Sequence, residues 1–219
     1  MFPLSTVLFP RASMPLHVFE PRYRALMRDC LDGDHRFGVI LIERGSEVGG
    51  GDVRATLGTR SRITKAIELP DGRWLLEVVG ESVVAVDQWL PDDPYPVALV
   101  REHRPDGAEP GDPVPSVGAA PAPDATGTAA LLDAATQRVR RARALLAEHG
   151  GAPPLPPELL LDGDGDREAA AWDLCGAAPV SAYDAQRLLA ARDVATRAGL
   201  LVELMEDLEL DLHRMLASE

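Results

Sequence analysis

The stretch Pro15-Leu16-His17-Val18-Phe19-Glu20-Pro21-Arg22-Tyr23 joins a short apolar run to the start of a helix. Pro21 suits the first helical position, because a backbone N–H there would have no partner within the helix. From Tyr23 onward, apolar side chains recur at helical spacing up to Asp32-Gly33-Asp34, where a helix typically ends. The sequence therefore predicts a strand that leads directly into one helix.

Runs of strand length flank this strand and helix. Residues 4–9 are apolar and bounded by proline, which predicts an edge strand, and residues 37–42 predict a strand buried on both faces. Four more runs of this kind follow, at residues 55–69, 74–79, 83–89 and 95–102. Pro70-Asp71-Gly72 predicts a hairpin turn. Six or seven short strands with one helix indicate a small barrel or sandwich.

The second half of the chain follows a helical pattern. Residues 105–127 are almost entirely Pro, Ala, Gly, Asp and small polar residues, which predicts a linker or long loop. Residues 128–219 repeat apolar side chains every three or four positions, and Ser181 and Asp193 are suited to cap helices. We therefore predict an α+β protein with a β-domain at residues 1–104 and an acidic helical bundle at residues 128–219.

Charge and cysteine content exclude several classes of protein. The 219 residues carry a formal net charge of −13, and residues 106–219, with 9 basic and 20 acidic side chains, hold most of it. Such a chain is unsuited to coat DNA, because polyanions need a basic face. Cys30 and Cys175 are the only cysteines, and no run reaches the roughly 18 apolar residues that span a membrane. Since a signal-peptide pattern is absent as well, we expect a cytoplasmic protein with no membrane partner.

Catalytic and metal-binding motifs are absent from the sequence. The single lysine, Lys65, lies outside any phosphate-binding loop pattern, and the five histidines have no spacing typical of metal ligands. Three aspartates at alternate positions resemble the start of a calcium loop: Asp162, Asp164 and Asp166. Arg167, however, occupies the position that needs glycine, and the alternative is a polar loop whose last aspartate caps a helix. We expect no enzymatic activity, no cofactor and no metal ion.

Aromatic side chains are the candidates for binding another polypeptide. Five of them could line a peptide groove: Phe19, Tyr23, Phe37, Trp74 and Trp89. The alternative is that they pack in the core, since aromatic residues make up only 5% of the chain. Glu20 and Arg22 flank the predicted helix start, where they could contact a ligand or instead form a structural ion pair or cap.

Several short motifs carry a family resemblance. They are Phe2-Pro3-Leu4 with Val7-Leu8-Phe9-Pro10, the stretch 15–23, residues 36–42, Leu57-Gly58-Thr59 and Gly80-Glu81. Together they resemble the Lon protease N-terminal, substrate-binding domain family, in particular its stand-alone bacterial members. The resemblance is strong over residues 1–104 and looser over the helical half. It implies a six-stranded, PUA-like β-domain followed by a helical bundle, a unit that in full Lon proteases helps to capture unfolded or tagged proteins and supports hexamer assembly.

The resemblance transfers no catalytic residue, because the chain carries neither the ATPase module nor the Ser-Lys peptidase module of full Lon proteases. It implies a non-catalytic module that binds unfolded or tagged protein segments or a protease, for example as an adaptor in proteolysis. Free sheet edges also allow a homodimer. The alternative is RNA binding, since PUA-like folds elsewhere bind RNA. That alternative needs a basic patch, for which the candidates are Arg11, Arg22, Arg24, Arg60 and Arg62.

Overall fold

Two structural units divide the chain, Met1–His103 and Arg104–Glu219. The computed structural model describes residues 1–47, 51–103, 125–148 and 166–216. Within these ranges the first unit holds six strands and one helix, and the second unit holds four helices. The predicted α+β class is confirmed. Most of the predicted linker at residues 105–127 lies outside the described residues.

The first unit is built on one mixed sheet. Its strands are β1 (Phe2–Leu4), β2 (Ser13–Val18), β3 (Arg36–Arg44), β4 (Val53–Glu68), β5 (Trp74–Trp89) and β6 (Ala98–Glu102). The strand order is β1-β3-β4-β5-β2, and β6 also pairs with β5. β1 runs parallel to β3, and the other pairings are antiparallel. Register shifts in three of these pairings bend the strands, and the sheet curls into a half-barrel.

β5 runs unbroken through Gly80, so the predicted break between residues 79 and 83 is wrong. The N–H of Gly80 donates to the carbonyl of Ala12 at 3.0 Å, and its carbonyl accepts from the N–H of Arg11 at 2.8 Å. A Cβ at position 80 would collide with the backbone of Phe9, so this close approach requires glycine. One edge of β5 thereby pairs with β2 before Gly80 and with β6 after it.

The strand predicted at residues 4–9 is also wrong, because β1 ends at Leu4. Leu8 and Phe9 are buried, and the carbonyl of Leu8 accepts a hydrogen bond from the buried hydroxyl of Thr59 at 2.5 Å. The side chain of Thr59 therefore fixes this segment, in place of the backbone hydrogen bonds that a neighbouring strand would provide. Arg11, with φ of 68°, then turns the chain into β2. β6 likewise begins at residue 98 and not at residue 95. The loop before it is closed by a hydrogen bond from the N–H of Leu90 to the carbonyl of Val97.

Helix α1 (Pro21–Asp32) follows the sequence prediction closely. Pro21 occupies the start, and Gly33 caps the end. Its buried face consists of Tyr23, Leu26, Met27 and Cys30. These side chains join one hydrophobic core with apolar residues of β1, β2, β3, β4 and β5. The core thus fixes α1 against the sheet and places the β2–α1 junction at the sheet edge.

The second unit consists, in its described part, of α2 (Ala125–Glu148), α3 (Arg167–Ala177), α4 (Ala182–Leu189) and α5 (Val194–Leu216). α2 begins three residues before the predicted start at residue 128. The predicted caps are confirmed: Asp166, Ser181 and Asp193 each accept a backbone N–H of the following helix. The cap alternative for Asp166 is therefore confirmed, whereas Asp162 and Asp164 lie outside the described residues. None of the described helices is long and apolar enough to cross a membrane.

A buried arginine organises the junction of three helices in this unit. Arg197 on α5 is 1% exposed, and its guanidinium lies 3.6 Å from the ring centroid of Trp172 on α3. It donates to the carbonyls of Leu188 and Ala191, at 3.3 Å and 3.1 Å, at the end of α4. A cation at a helix C-terminus satisfies carbonyls that have no partner within the helix. Burial lowers the pKa of Arg197.

Loss of this arginine is expected to destabilise the helical unit. Arg197→Ala leaves two carbonyls without their donor and a void beside Trp172, which costs roughly 2–4 kcal/mol. Arg192→Ala is the matched control, because Arg192 is exposed and, among the described residues, pairs only with its neighbour Asp193. We expect it to change stability by less than about 0.5 kcal/mol. Urea unfolding followed by circular dichroism at the helix band measures both. Equal effects of the two variants would contradict this account.

The hydroxyl of Thr59 provides a matching test in the β-unit. Thr59→Val keeps the side-chain shape but leaves the buried carbonyl of Leu8 without this donor, which is expected to cost about 1–3 kcal/mol. Thr64→Val, on the same strand, removes an exposed hydroxyl that donates to the carbonyl of Glu77 at 3.0 Å, and we expect a change within about 0.5 kcal/mol. Denaturant titration of tryptophan fluorescence distinguishes the two.

Candidate binding groove

The two outermost strands of the sheet order, β1 and β2, line one groove of about 160 Å³. We call it the edge groove and define it by residues 2–4, 15–20, 23 and 47. Successive side chains of a strand point to opposite faces of a sheet. Because consecutive residues of both strands line the groove, it runs along the two strand edges and not across one face. The curl of the sheet therefore brings its two edges opposite each other.

Aromatic rings form the apolar part of the edge groove. Phe2 stacks on Tyr23 with 4.4 Å between ring centroids, and Phe37 lies behind Phe2 at 5.9 Å. Phe19, by contrast, is 50% exposed, with its ring centroid 5.9 Å from that of His17. An exposed aromatic ring next to buried ones provides apolar surface that a ligand side chain can cover.

The charged side chains at the groove form an ion pair and hydrogen bonds within the protein. Arg22 Nε lies 3.1 Å from Glu20 Oε2, and Arg22 Nη2 donates to the carbonyl of Glu47 at 3.2 Å. The Arg22 guanidinium also lies 4.5 Å from the ring centroid of Tyr23. Glu47 Oε1 accepts from the backbone N–H of Ser5 at 2.5 Å and from its hydroxyl. The alternative of a structural ion pair between Glu20 and Arg22 is therefore confirmed.

Tyr23 carries a polar atom that the described part of the protein leaves without a hydrogen bond. Its side chain is among the residues lining the groove, it is 3% exposed, and its hydroxyl has no hydrogen-bond partner. Burial raises the pKa of Tyr23 to about 12, so the hydroxyl is neutral and can both donate and accept. A buried polar atom without a partner costs free energy, and a ligand or water molecule that supplies the missing hydrogen bond removes this cost.

The structure brings together only part of the set predicted from the sequence. Phe19, Glu20 and Tyr23 line the groove, and Arg22 borders it through its contacts. The other three lie elsewhere: Phe37, Trp74 and Trp89. Phe37 is a core residue, and Trp74 packs against that core from the start of β5. The Trp89 ring faces Arg54, which pairs with two aspartates, and its centroid lies 4.6 Å from the guanidinium.

Sequence reasoning did not select the other eight lining residues as candidates: Phe2, Pro3, Leu4, Pro15, Leu16, His17, Val18 and Glu47. Leu4 and Pro15 were recognisable as parts of short runs with proline, a composition typical of sheet edges. No local signal showed that these two edges would meet. Glu47 lies in a glycine-rich loop far from α1 in sequence, so only the tertiary structure places it at the groove.

The arginines considered for RNA binding are used in contacts within the protein. Arg60 Nε and Arg62 Nε lie 3.5 Å and 3.1 Å from carboxylate oxygens of Glu81. Arg22 pairs with Glu20 at the groove, and the guanidinium of Arg24 packs against Gly72 in the hairpin turn. Arg36, Arg60 and Arg62 share Glu81, and Asp34 and Glu102 pair with two of them, so this cluster of three arginines and three carboxylates has no net positive charge for phosphate groups. Among the described residues, no cluster of side chains has the composition of a metal site.

Comparison with known proteins bears on the family and the fold of this chain. A family model described as "ATP-dependent protease La (LON) substrate-binding domain" matches residues 1–207. Among curated proteins, a LON peptidase N-terminal domain and RING finger protein of Schizosaccharomyces pombe is 27% identical over 112 residues, which cover 46% of this chain and 23% of that protein. Lon protease 2 of Herpetosiphon aurantiacus is 30% identical over 105 residues, covering 47% of this chain and 13% of that protein. The match thus spans less than a quarter of these curated relatives.

Solved structures match over nearly their whole length. A Lon N-terminal domain protein from Xanthomonas campestris is 27% identical, with a TM-score of 0.60, and the match covers 92% of this chain and 95% of that one. The N-terminal domain of a Mycobacterium avium complex Lon protease is 18% identical, with a TM-score of 0.57, over 94% and 97% of the two chains. The second likeness concerns the fold alone.

The hydroxyl of Tyr23 can be tested against that of Tyr95, which donates to Asp29 Oδ2 at 2.5 Å. Tyr23→Phe removes a buried hydroxyl without a partner, and we expect stability to stay equal or to rise by up to about 1 kcal/mol. Tyr95→Phe removes a made hydrogen bond, and we expect a loss of about 1 kcal/mol. Thermal unfolding of both variants measures the difference. A loss in Tyr23→Phe as large as in Tyr95→Phe would show that the Tyr23 hydroxyl has a partner in the folded protein.

Proposed function

Since the chain belongs to the family of ATP-dependent protease La (LON) substrate-binding domains, we propose that it is a protein-binding module whose edge groove holds segments of other polypeptides. It acts by binding and carries out no catalytic step. The substrates are unfolded or tagged protein segments, and the module works as an adaptor beside a protease. Its place of action is the cytoplasm.

The observation that carries this proposal is the aromatic lining of the edge groove. Phe19 exposes half of its side chain at the β2–α1 junction, beside rings that are already ordered by the core. Binding sites for polypeptides depend on a few such anchors, because burying an aromatic surface gains more free energy than most other contacts. Preordered rings also spare the entropy cost of fixing them on binding.

The adaptor role is supported by the kinds of protein in which relatives of this chain occur. The curated relatives carry names of Lon proteases or of a LON-domain RING finger protein, and this chain matches 13–23% of their length. RNA binding is the less supported alternative, because the candidate arginines Arg60 and Arg62 lie in a cluster of three arginines and three carboxylates without net positive charge.

Phe19→Ala tests the proposal. We expect the variant to bind a fluorescently labelled, reduced and carboxymethylated protein, which cannot fold, roughly tenfold more weakly than the unmodified module, because a central aromatic anchor contributes about 1–2 kcal/mol. Fluorescence anisotropy measures the affinity. The same labelled protein in its native, disulfide-bonded form is expected to bind neither variant, because its segments are not accessible.

Leu99→Ala is the matched control for this experiment. Leu99 is 53% exposed, similar to Phe19, but it lies on β6 and does not line the edge groove. We expect it to bind the unfolded probe as the unmodified module does. Absence of binding by the unmodified module, or equal loss in both variants, would overturn the proposed function.

A further inference from the structure

We propose that the edge groove receives its ligand as an added β-strand, in which an extended polypeptide segment pairs through its main chain with the open edge of β2. This inference rests on the proposed function and specifies how that site recognises its ligand. The ligand is an extended segment in which an apolar side chain stands opposite His17. Three independent features of the molecule lead to this conclusion.

The first feature is the direction of the β2 backbone groups. In an antiparallel pair, a residue either exchanges both its N–H and C=O with its partner or turns both away. Gly80 directs its N–H and C=O toward residues 11 and 12. Because these directions alternate along a strand, Val78 and Leu76 direct their N–H and C=O groups to the same edge of β5. Their register partners on β2 are Met14 and Leu16. Met14 and Leu16 therefore bond to β5.

The residues between them face the other way. Ser13, Pro15 and His17 turn their N–H and C=O groups away from β5, toward the side where β2 has no neighbouring strand among the described residues. Pro15 fits this assignment, because a residue without an N–H loses nothing at a position that does not bond to β5. Of the two that line the groove, Pro15 and His17, His17 keeps both a donor and an acceptor for a ligand backbone.

The second feature is the presence of proline in both strands that line the groove. Pro3 on β1 and Pro15 on β2 lack an N–H. Proline in an edge strand limits uncontrolled pairing with other edges, including those of a second copy of the chain. Among the β2 residues that line the groove and face away from β5, His17 is thus the one that keeps both an N–H and a C=O for pairing. This composition suits a single, defined register for an added segment.

The third feature is an exposed apolar row that ends at the open edge. Ile67 on β4 is the register partner of Leu75 on β5, and Leu75 is the partner of His17 on β2. Partners directly across a sheet share a face. Ile67 and Leu75, which are 46% and 42% exposed, therefore lie side by side on one open face. A strand added to β2 would place its own residue next in this row. An apolar side chain there would cover surface that the described residues leave open.

Backbone methylation of the ligand tests this mode of binding on the unmodified protein. The probe is a labelled peptide of ten alternating Val and Thr residues with lysines at both ends. Two analogues carry N-methyl groups, one on every Val and the other on every Thr. In an added strand, alternate residues bond to the neighbouring strand. We expect one analogue to bind at least about tenfold more weakly and the other to bind as the parent does, because each lost bond costs about 1 kcal/mol.

The outcome of this comparison is decisive in either direction. Loss confined to the Val set supports antiparallel addition with Val opposite His17, as proposed. Loss confined to the Thr set supports strand addition that is either parallel with Val opposite His17 or antiparallel with Thr there. Equal binding of both analogues, or equal loss, overturns strand addition. If the unfolded probe protein still binds through Phe19 in that case, the proposed function stands. If neither the parent peptide nor the unfolded protein binds, both proposals fail.

Substitutions in β2 provide the matching test on the protein side. His17→Pro removes the outward N–H at the groove, whereas Ser13→Pro removes an outward N–H at the end of β2 that does not line the groove. Both variants keep the bonds to β5. We expect roughly tenfold weaker peptide binding in His17→Pro only, with His17→Ala, which keeps the N–H, close to the unmodified protein. If His17→Pro and Ser13→Pro bind alike, β2 is not the pairing strand. If His17→Pro does not fold, the methylated peptides decide.

Discussion

The first unit depends on the backbone contact between Gly80 and the segment that precedes β2. Both polar groups of Gly80 bond to residues 11 and 12, and any side chain at this position would collide with the backbone of Phe9. The contact allows the 16-residue strand β5 to continue without a break and to carry two different strands on one edge. It also fixes where β2 begins. Because α1 follows β2 after only two residues, the position of Phe19 and Tyr23 depends on the same contact.

The consequence of this arrangement is a sheet that curls without closing. β1 and β2 remain unpaired on one side each within the described residues, and both lie along the edge groove. Open edges are normally a liability, because they promote association with any other exposed strand. Here two prolines reduce the number of donors, and an aromatic floor of Phe2 and Tyr23 supplies apolar contact. An edge protected in this way is compatible with a domain family whose task is to bind protein substrates.

Local signals explain which elements could be predicted from the sequence. Pro21 and Gly33 mark the ends of α1, and Asp166, Ser181 and Asp193 cap helices, because each acts on backbone groups within a few residues. The segment 4–9 was predicted wrongly for the opposite reason. Its apolar pattern suits a strand, yet the carbonyl of Leu8 bonds to Thr59, 51 residues away. Glycine at position 80 likewise predicts a break in the strand, because the sequence does not show that residues 9–12 pack against it.

The sequence by itself determined the α+β class, the ends of α1, the capped starts of α3, α4 and α5, the charge division between the two halves and the family. These properties follow from periodicity, capping and composition, which involve neighbours in the chain. Only the tertiary structure decided which candidates share a site. Phe19, Glu20 and Tyr23 lie at one groove with Leu4, His17 and Glu47, whereas Trp89 stacks on Arg54 at the other end of β5. The reason is that the groove exists only where β1 and β2, the two ends of the sheet order, come together. The curl that brings them together is the sum of the bulges and twists in all the strands between them.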